Sequence, residues 1–277
     1  MNVNTHGYSD GEYGKWKLVD VASPKIIDGG DPNSNTFVLY SHPRSESGGI
    51  RLQIAYARIQ NRSGNVASVG FGARIPKLLW KAGLWTHATT TWTNDTTDFQ
   101  DAGATDAALE TTTINDGFLV SSPIIFNGLA INVATASVGT PARTLEYSTG
   151  TSTWTTITNA VSFSSASANY VVNENAIVWA PPTDWVPMAG GHGTGVTVGE
   201  YGLRVRATTA PTTAGVATTM SVHRLHFLLS GLADSNLYEI PLGGMYAPLE
   251  TNGEALVAFC SIAASQNMVA ALVRARG

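Results

Sequence analysis

TTMSVHRLHFLL, residues 218–229, is the stretch that decides the fold class of this chain. Four apolar residues interleave with polar ones along it, namely Met220, Val222, Leu225 and Phe227. This pattern is typical of a β-strand, because successive side chains of a strand point to opposite faces of the sheet. The stretch therefore predicts a long strand with one apolar side.

Segments of the same kind recur upstream, separated by turns rich in Gly, Asn, Ser and Pro. Strands are predicted at 117–121, 129–134, 144–148, 153–157, 176–179 and 201–207. Their spacing is typical of sandwiches and jelly rolls. No long amphipathic helix can be written, and only residues 75–84 and 101–109 are compatible with a helical turn. We therefore predict an all-β chain that contains a β-sandwich of jelly-roll type.

Threonine content and charge mark the borders of this sandwich. Of 32 threonines, 29 lie between Thr86 and Thr219. Residues 82–231 carry 4 basic and 10 acidic residues, a net charge of −6, whereas the flanks carry 12 and 10, a net charge of +2. Two flanks that resemble each other predict one domain inserted into another, which chain termini that lie close together allow. We place the inserted sandwich at 81–231 and a smaller β-sandwich, which would act as an anchor, at 1–80 plus 232–277.

Two hairpins are predicted within the flanks. Residues 50–59 and 66–75 alternate on either side of a turn at 61–65. Residues 254–263 and 268–275 do the same around a turn at 265–267. Alternating segments joined by short polar turns are the pattern of antiparallel hairpins. These hairpins, with strands at 15–21 and 36–40, are expected to form the smaller sandwich.

Composition limits the partners of this chain. Charged residues make up 13% of it, about half the usual share of roughly 25%, and the net charge is −4. Without a run of Lys and Arg to neutralise phosphates, we expect no nucleic-acid partner. No apolar stretch approaches the roughly 20 residues of a membrane helix, so we expect no membrane partner. A polar N-terminus unlike a signal peptide, and a single cysteine, Cys260, fit a protein made in a host cytoplasm.

An acidic loop is the one candidate metal site in the sequence. Asp95, Asp98, Asp101 and Asp106 fall within twelve residues of one another. Ca²⁺ takes six to eight oxygen ligands, which aspartates and loop carbonyls supply. The spacing is not that of an EF-hand, and a solvated loop whose Asp and Thr side chains cap turns is the alternative. Structural calcium is the only cofactor that we consider.

Aromatic and basic residues of the middle domain are the candidate contact residues. Trp185 lies in the Pro-rich loop 182–187 and Trp92 near the acidic loop, where an exposed indole can stack on a sugar ring. His192 lies in GGHGTG, residues 190–195, which we interpret as a flexible surface loop. Arg204 and Arg206 alternate with Leu203 and Val205, so both arginines are expected on the face opposite the apolar pair.

The sequence contains no arrangement that supports catalysis. A Gly-x-Ser-x-Gly elbow, an HExxH motif and a CxxC motif are all missing. The Gly-rich segment 190–195 lacks the lysine and the following helix of a phosphate-binding loop. His223 and His226, three residues apart on a strand, point to opposite faces and cannot chelate one ion together. We therefore predict a protein that is not an enzyme.

Two segments carry a resemblance to known proteins. LEYSTGTSTWTTI, residues 145–157, and WAPP, residues 179–182, resemble the jelly-roll modules of phage virion proteins and of carbohydrate-binding modules. The small and apolar segment 253–276 is similar to the strands of phage head or tail accessory proteins. The resemblance implies a virion structural protein of a tailed bacteriophage.

Two functions are therefore expected. The first is a capsid decoration or head accessory protein that binds the major capsid protein or other virion proteins, located in the virion and assembled as a homo-oligomer, a dimer or trimer at a symmetry axis. The alternative is a glycan-binding or receptor-binding module of a phage tail or fibre, or of a bacterial adhesin. Exposure of Trp185, Trp92 or His192 as an aromatic platform distinguishes the second from the first.

Overall fold

The computed structural model describes the fold for most of the chain. The described residues are 16–17, 25–28, 36–41, 52–53, 56–61, 67–104, 106–158, 160–162, 170, 173–232, 237–241, 255–260, 267–271 and 274–276. Nearly all regular structure in them is β-strand, as predicted. No helix among these residues combines the length and the apolar character that a membrane crossing requires.

The strands, in chain order, are β1 (Trp16–Lys17), β2 (Lys25–Asp28), β3 (Thr36–Ser41), β4 (Leu52–Gln53), β5 (Tyr56–Asn61), β6 (Ala67–Arg74), β7 (Lys81–Thr86), β8 (Thr91–Asn94), β9 (Ala107–Ala108), β10 (Gly117–Ser122), β11 (Gly128–Thr135), β12 (Arg143–Thr149), β13 (Thr153–Thr156), β14 (Ala160–Ser162), β15 (Asn173–Trp179), β16 (Tyr201–Ala207), β17 (Val216–Leu232), β18 (Leu237–Pro241), β19 (Ala255–Cys260), β20 (Asn267–Ala271) and β21 (Arg274–Arg276). One α-helix, α1 (Thr96–Gln100), and two 3-10 helices, Lys77–Leu79 and Gly190–His192, complete the described elements. The helical turn considered at 101–109 is not found there, because α1 ends at Gln100 and β9 lies at Ala107–Ala108.

The chain divides into two compact units. Unit 1 comprises Met1–Asp31, Asn35–Arg74 and His226–Gly277, and unit 2 comprises Pro32–Ser34 and Ile75–Leu225. The borders at Arg74 and Leu225 lie six residues before those expected from the shift in threonine content and charge. The second border falls inside β17, so the shift in composition marks the end of this strand rather than the end of the unit.

Unit 1 pairs its strands differently from the two predicted hairpins. β5 pairs with β18 and β20 in the sheet β18-β5-β20-β2, whereas β6 pairs with β19 in the order β6-β19-β3. β19 and β20 likewise lie in different sheets, so both hairpin predictions are wrong. Strand alternation was read correctly, but alternation does not specify which strand is the partner.

Unit 2 contains two antiparallel sheets. The first has six strands in the order β13-β12-β16-β10-β7-β8, and the second has the order β14-β15-β11-β17, with β9 paired to β17. Every strand predicted for this region is present with its ends within three residues. The sequence analysis missed β7, β8, β9 and β14. In β7, Gly83 is required, because a Cβ there would come within 1.9 Å of the Thr93 carbonyl oxygen on β8.

Both sheets of unit 2 contribute to one hydrophobic core. Phe118 and Val120 of β10 lie in a single cluster with Leu129 and Ile131 of β11 and Trp179 of β15, and none of the five is exposed. Burial of one such side chain stabilises the fold by about 1.5–3 kcal/mol. This shared core gives unit 2 a sandwich-like character, while the jelly-roll topology remains a prediction.

A buried ion pair fastens the loops at one end of unit 2. Arg143, at the start of β12, donates to both carboxylate oxygens of Glu110, at 2.5 and 2.8 Å, and also to the Ser137 hydroxyl at 2.9 Å. Its guanidinium carbon lies 4.0 Å from the ring centroid of Tyr170. Glu110 is 1% exposed and accepts a further hydrogen bond from the Gly215 amide. The Glu110 carboxylate therefore connects Arg143 with Gly215, which are distant from each other in sequence.

Glu110→Gln is expected to lower the free energy of unfolding by about 3–5 kcal/mol, because the Arg143 charge then stays buried without its counter-ion. Urea denaturation followed by tryptophan fluorescence measures this loss. Asp101→Asn, at an exposed position, is the matched control and should change stability by less than about 0.5 kcal/mol. A Glu110→Gln protein as stable as this control would contradict the structural role of the ion pair.

Candidate functional site

The register of the six-stranded sheet brings basic and acidic side chains together on its outer face. Arg204 of β16 is the direct partner of Glu146 on β12, and Arg206 follows two residues later on the same face. Leu203 and Val205 point the other way into the shared core. The prediction that both arginines lie opposite the apolar pair is confirmed.

Glu146, Arg204, Arg206 and Asn115 form a connected group, which we call the arginine cluster. Arg204 Nε donates to Glu146 Oε2 at 2.5 Å. Arg206 donates from Nη2 to Glu146 Oε1 at 2.9 Å and from Nε to Oε2 at 3.2 Å. Arg206 Nη1 also donates to the Asn115 side-chain oxygen. Two guanidinium groups therefore share one carboxylate, and the cluster carries one net positive charge.

The arginines keep Glu146 ionised although it is buried. Burial by itself raises the pKa of this carboxyl group. The hydrogen bond from Arg206 and the charge of Arg204 outweigh burial, so the pKa lies below its ordinary value of 4.5. A carboxylate in this position is stabilised by charge-assisted hydrogen bonds.

Two indole rings frame the guanidinium group of Arg204. Its central carbon lies 4.6 Å from the ring centroid of Trp154 and 5.1 Å from that of Trp85. The two rings are 6.0 Å apart and tilted by 59°. Trp85 is buried, whereas Trp154 on β13 is half-buried. A cation over indole faces is attracted by the ring quadrupole, more strongly where water is excluded.

Residues 187–199, the covering loop, close over part of this outer face. Trp92 of β8 donates its amide to the Thr194 carbonyl at 2.9 Å, and Thr194 donates to the Thr90 carbonyl at 2.8 Å. Met188, from the start of the loop, lies in one apolar cluster with Trp85 and Trp92. The loop is therefore hydrogen-bonded to the sheet and buries His192, while Gly190, Gly191, Thr194 and Gly195 are exposed. The surface position predicted for residues 190–195 is confirmed for these four, and their flexibility stays a prediction.

His192 joins the covering loop to the sheet through one ring nitrogen. Nδ1 accepts a hydrogen bond from the Ala189 amide of the same loop at 3.0 Å, which places the ring proton on Nε2, 3.1 Å from the Thr149 carbonyl oxygen of β12. The Trp154 indole donates to the His192 carbonyl at 3.3 Å. His192 is only 2% exposed, so its ring is part of the packing beneath the loop.

Trp185, Trp92 and His192 are all buried, so they do not form the aromatic platform that would distinguish a glycan-binding module. Trp185 is 5% exposed and lies in the main core, with its ring centroid 5.2 Å from that of Phe126 and 6.1 Å from that of Tyr147. Trp92 is 4% exposed beneath the covering loop. A loop residue was expected to face water, but a large apolar ring at a loop is often what closes the end of a core.

Trp154 is a candidate contact residue that the sequence analysis did not select. It lies on the edge strand β13, whose sequence TWTT is otherwise hydroxyl-bearing. Exposed threonines surround it along the strand, and this mixture on an edge strand was the available signal. Its relation to Arg204 was not readable, because 49 positions separate them and only the β12–β16 pairing brings them together.

The four aspartates of the predicted calcium loop do not converge. Helix α1 separates Asp95 from Asp101; Asp95 accepts from the Leu84 amide at 3.4 Å, and Asp101 accepts from the Gly103 amide at 3.0 Å. Asp98 lies within α1, and Asp106 is exposed. Within the described part of the chain, no three His, Cys, Asp or Glu side chains are grouped so as to hold a metal ion. The alternative interpretation, in which an aspartate side chain caps a turn, therefore describes Asp101.

Comparison of the chain with protein-family models, with curated proteins and with solved structures finds no match. In unit 2, the outer face of the six-stranded sheet offers a cation, amide and guanidinium donors, and a half-buried indole, which are groups suited to binding.

Stability is expected to fall in acid through Glu146. Because the folded-state pKa lies below the ordinary value, the carboxylate contributes stability that is complete above about pH 5 and is lost as the pH falls through the folded-state pKa. The difference in unfolding free energy between the parent and Glu146→Gln should be constant from about pH 6 to 8 and shrink below about pH 4. Urea titrations across this pH range measure it, and a difference that grows in acid would contradict the assignment.

Gly193→Ala is expected to release the covering loop. The backbone there has φ +151°, and a Cβ would lie 2.7 Å from the Trp85 ring and 2.8 Å from the Thr90 carbonyl oxygen. Such crowding costs about 1–3 kcal/mol. Thermal unfolding measures the loss, and Gly190→Ala is the matched control, since no atom lies within 4 Å of a Cβ there. Equal melting temperatures for the two variants would contradict the close packing of the loop.

Proposed function

We propose that this chain is a non-enzymatic virion structural protein, a capsid decoration or head accessory protein of a tailed bacteriophage. In this proposal one unit binds the capsid lattice and the threonine-rich unit is displayed on the particle. The partners are the major capsid protein and further copies of this chain, in a dimer or trimer at a symmetry axis. The protein is assembled in the host cytoplasm and resides in the virion.

The distribution of charge in unit 2 is the observation that carries this proposal. The charged side chains of Arg143, Arg204 and Arg206 are paired with Glu110 and Glu146 inside the unit. Threonine hydroxyls occupy exposed positions instead, among them Thr89, Thr90, Thr112, Thr113, Thr153, Thr155 and Thr156. A neutral hydroxyl surface desolvates at lower cost than a charged one, which suits a protein covered by repeated neighbours.

The capsid proposal predicts saturable binding to assembled particles. The purified chain is mixed with capsids assembled from the major capsid protein encoded in the same genome, and the particles are sedimented. Binding that saturates at a fixed number of copies per capsid protein is expected, whereas capsids of an unrelated phage should pellet none. A chain that stays in the supernatant at concentrations of about 10 μM, above the Kd of most stable assemblies, would overturn the capsid role.

The second candidate is a glycan-binding module, and the arrangement around Trp154 favours it. A half-buried indole held by the His192 carbonyl lies 4.6 Å from the guanidinium carbon of Arg204, which shares Glu146 with Arg206. Sugars are bound by stacking on such rings together with hydrogen bonds to their hydroxyls. A virion protein can also display a glycan-binding domain, so the two functions are compatible.

Trp154→Ala is expected to abolish glycan binding while unit 2 stays folded, because β13 is an edge strand. A glycan array with the parent protein identifies ligands, and the variant is then tested on the positive spots. Trp185→Ala does not serve this purpose, since this ring belongs to the core. An array without any positive spot, or a Trp154→Ala protein that binds like the parent, would dispose of glycan binding at this site.

A further inference from the structure

The arginine cluster has more hydrogen-bond donors than its protein partners use. A guanidinium group carries five N–H donors. Arg206 uses three of them, two on Glu146 and one on Asn115. Arg204 donates through Nε alone, and its two terminal nitrogens make no hydrogen bond to the described residues and are not among the fully buried polar atoms. Donors therefore remain available toward a ligand.

Asn115 adds a further donor and an unusual backbone. Its side-chain oxygen accepts from Arg206, which leaves the amide NH₂ directed to other partners. Its φ of +72° lies in the left-handed region, where non-glycine residues are uncommon. The backbone N–H of Asn115 donates to the Ala207 carbonyl oxygen at 2.7 Å, which holds the residue beside the end of β16. The structure thus holds a polar side chain in position beside a partly exposed arginine.

The cluster is also a local positive centre in an acidic unit. Two guanidinium groups against one carboxylate leave one net positive charge, and the Arg206 side chain is 20% exposed while that of Glu146 is 7% exposed. Residues 75–225, the main part of unit 2, carry 6 basic and 10 acidic residues, a net charge of −4. A single negative group fits this centre, whereas an extended polyphosphate would meet repulsion from the rest of the unit.

We propose that the face formed by Trp154, Arg204, Arg206 and Asn115 binds an acidic sugar, with its ring against Trp154 and its carboxylate on the two arginines that share Glu146. The inference rests on the proposed glycan-binding function and specifies the ligand class. A planar carboxylate matches the fork of guanidinium donors, and a sugar ring matches the indole face. The ion pair with Glu146 holds Arg206 in place before the ligand arrives, so little ordering accompanies binding.

Binding of an oligosaccharide with a single terminal glucuronate to the full chain, measured by titration calorimetry beside the neutral oligosaccharide of equal length in which glucose replaces the glucuronate, tests the proposal. The acidic oligomer is expected to bind at least about tenfold more tightly, the usual effect of a charge-assisted hydrogen bond. Arg206→Gln should remove this preference. Arg224→Gln, at an exposed position on β17, should bind like the parent. Because Arg206→Gln also removes a partner of Glu146, its melting temperature is measured alongside.

A second pair of variants keeps the ion pairs intact. Thr144 is the cross-strand partner of Arg206 on β12 and is half-buried. Thr144→Glu adds a negative charge beside the site, and Thr144→Gln has the same size without the charge. The proposal expects Thr144→Glu to bind the acidic oligomer at least about tenfold more weakly than Thr144→Gln, with equal affinity of both for the neutral one.

The outcomes separate this inference from the function on which it rests. Equal binding of the acidic and the neutral oligomer, with loss of both in Trp154→Ala, would overturn the acidic class and support glycan binding. A preference for the acidic oligomer that persists in Arg206→Gln and in Thr144→Glu would overturn the assigned site. No binding of either oligomer, nor of sialyllactose as a second carboxylated probe, would overturn the inference, and an empty glycan array would overturn the function as well.

Discussion

The buried carboxylate of Glu146 is the constraint on which the outer face of the six-stranded sheet depends. A lone ionised carboxylate at this degree of burial is strongly unfavourable, and the two arginines of the neighbouring strand supply the compensating charge. Arg204 in turn lies against two indole rings, those of Trp85 and Trp154. Removal of the carboxylate would leave two guanidinium groups close together without their counter-ion, so the arrangement of both arginines depends on this one residue.

Unit 2 buries both faces of this sheet by different means. One face packs on the second sheet through aliphatic and aromatic side chains. The other face is covered only in part, by a glycine-rich loop that pairs with the edge strand β8. Glycines allow that loop to approach the Trp85 ring and the Trp92 backbone more closely than any other residue type would. Trp154 donates to the His192 carbonyl of this loop and contacts the arginine cluster through Arg204, and the Arg206 side chain of that cluster is 20% exposed.

This division explains how one unit can serve both proposed functions. Ion pairs within the unit and exposed threonine hydroxyls suit lateral contacts with other subunits, because fewer unpaired charges have to be desolvated. The outer face of the six-stranded sheet places the net positive charge of the arginine cluster beside the half-buried Trp154 ring. Sites of this kind are more precise on strands than on loops, because a paired backbone holds the side chains in position.

The local sequence determined the all-β class, most strands of unit 2 and the faces on which Arg204 and Arg206 lie. Each of these follows from the alternation of side chains along one strand, which is a short-range property. Which strands pair, in contrast, is decided by contacts between distant segments. The two flanking hairpins were wrong for this reason, and β7 and β8, short and interrupted by the glycine that their close pairing requires, were missed.

The candidate site depended on the same long-range contacts. Trp185 and Trp92 have loop-like or hydroxyl-rich neighbours in sequence, yet the tertiary structure buries both. His192 lies in a run of glycines that reads as flexible, but two backbone partners hold its ring. Trp154 joins Arg204 only because strand pairing brings together positions about fifty residues apart. Whether a side chain is buried depends on the assembled sheets, and the sequence of a single strand does not specify which segments will cover that strand.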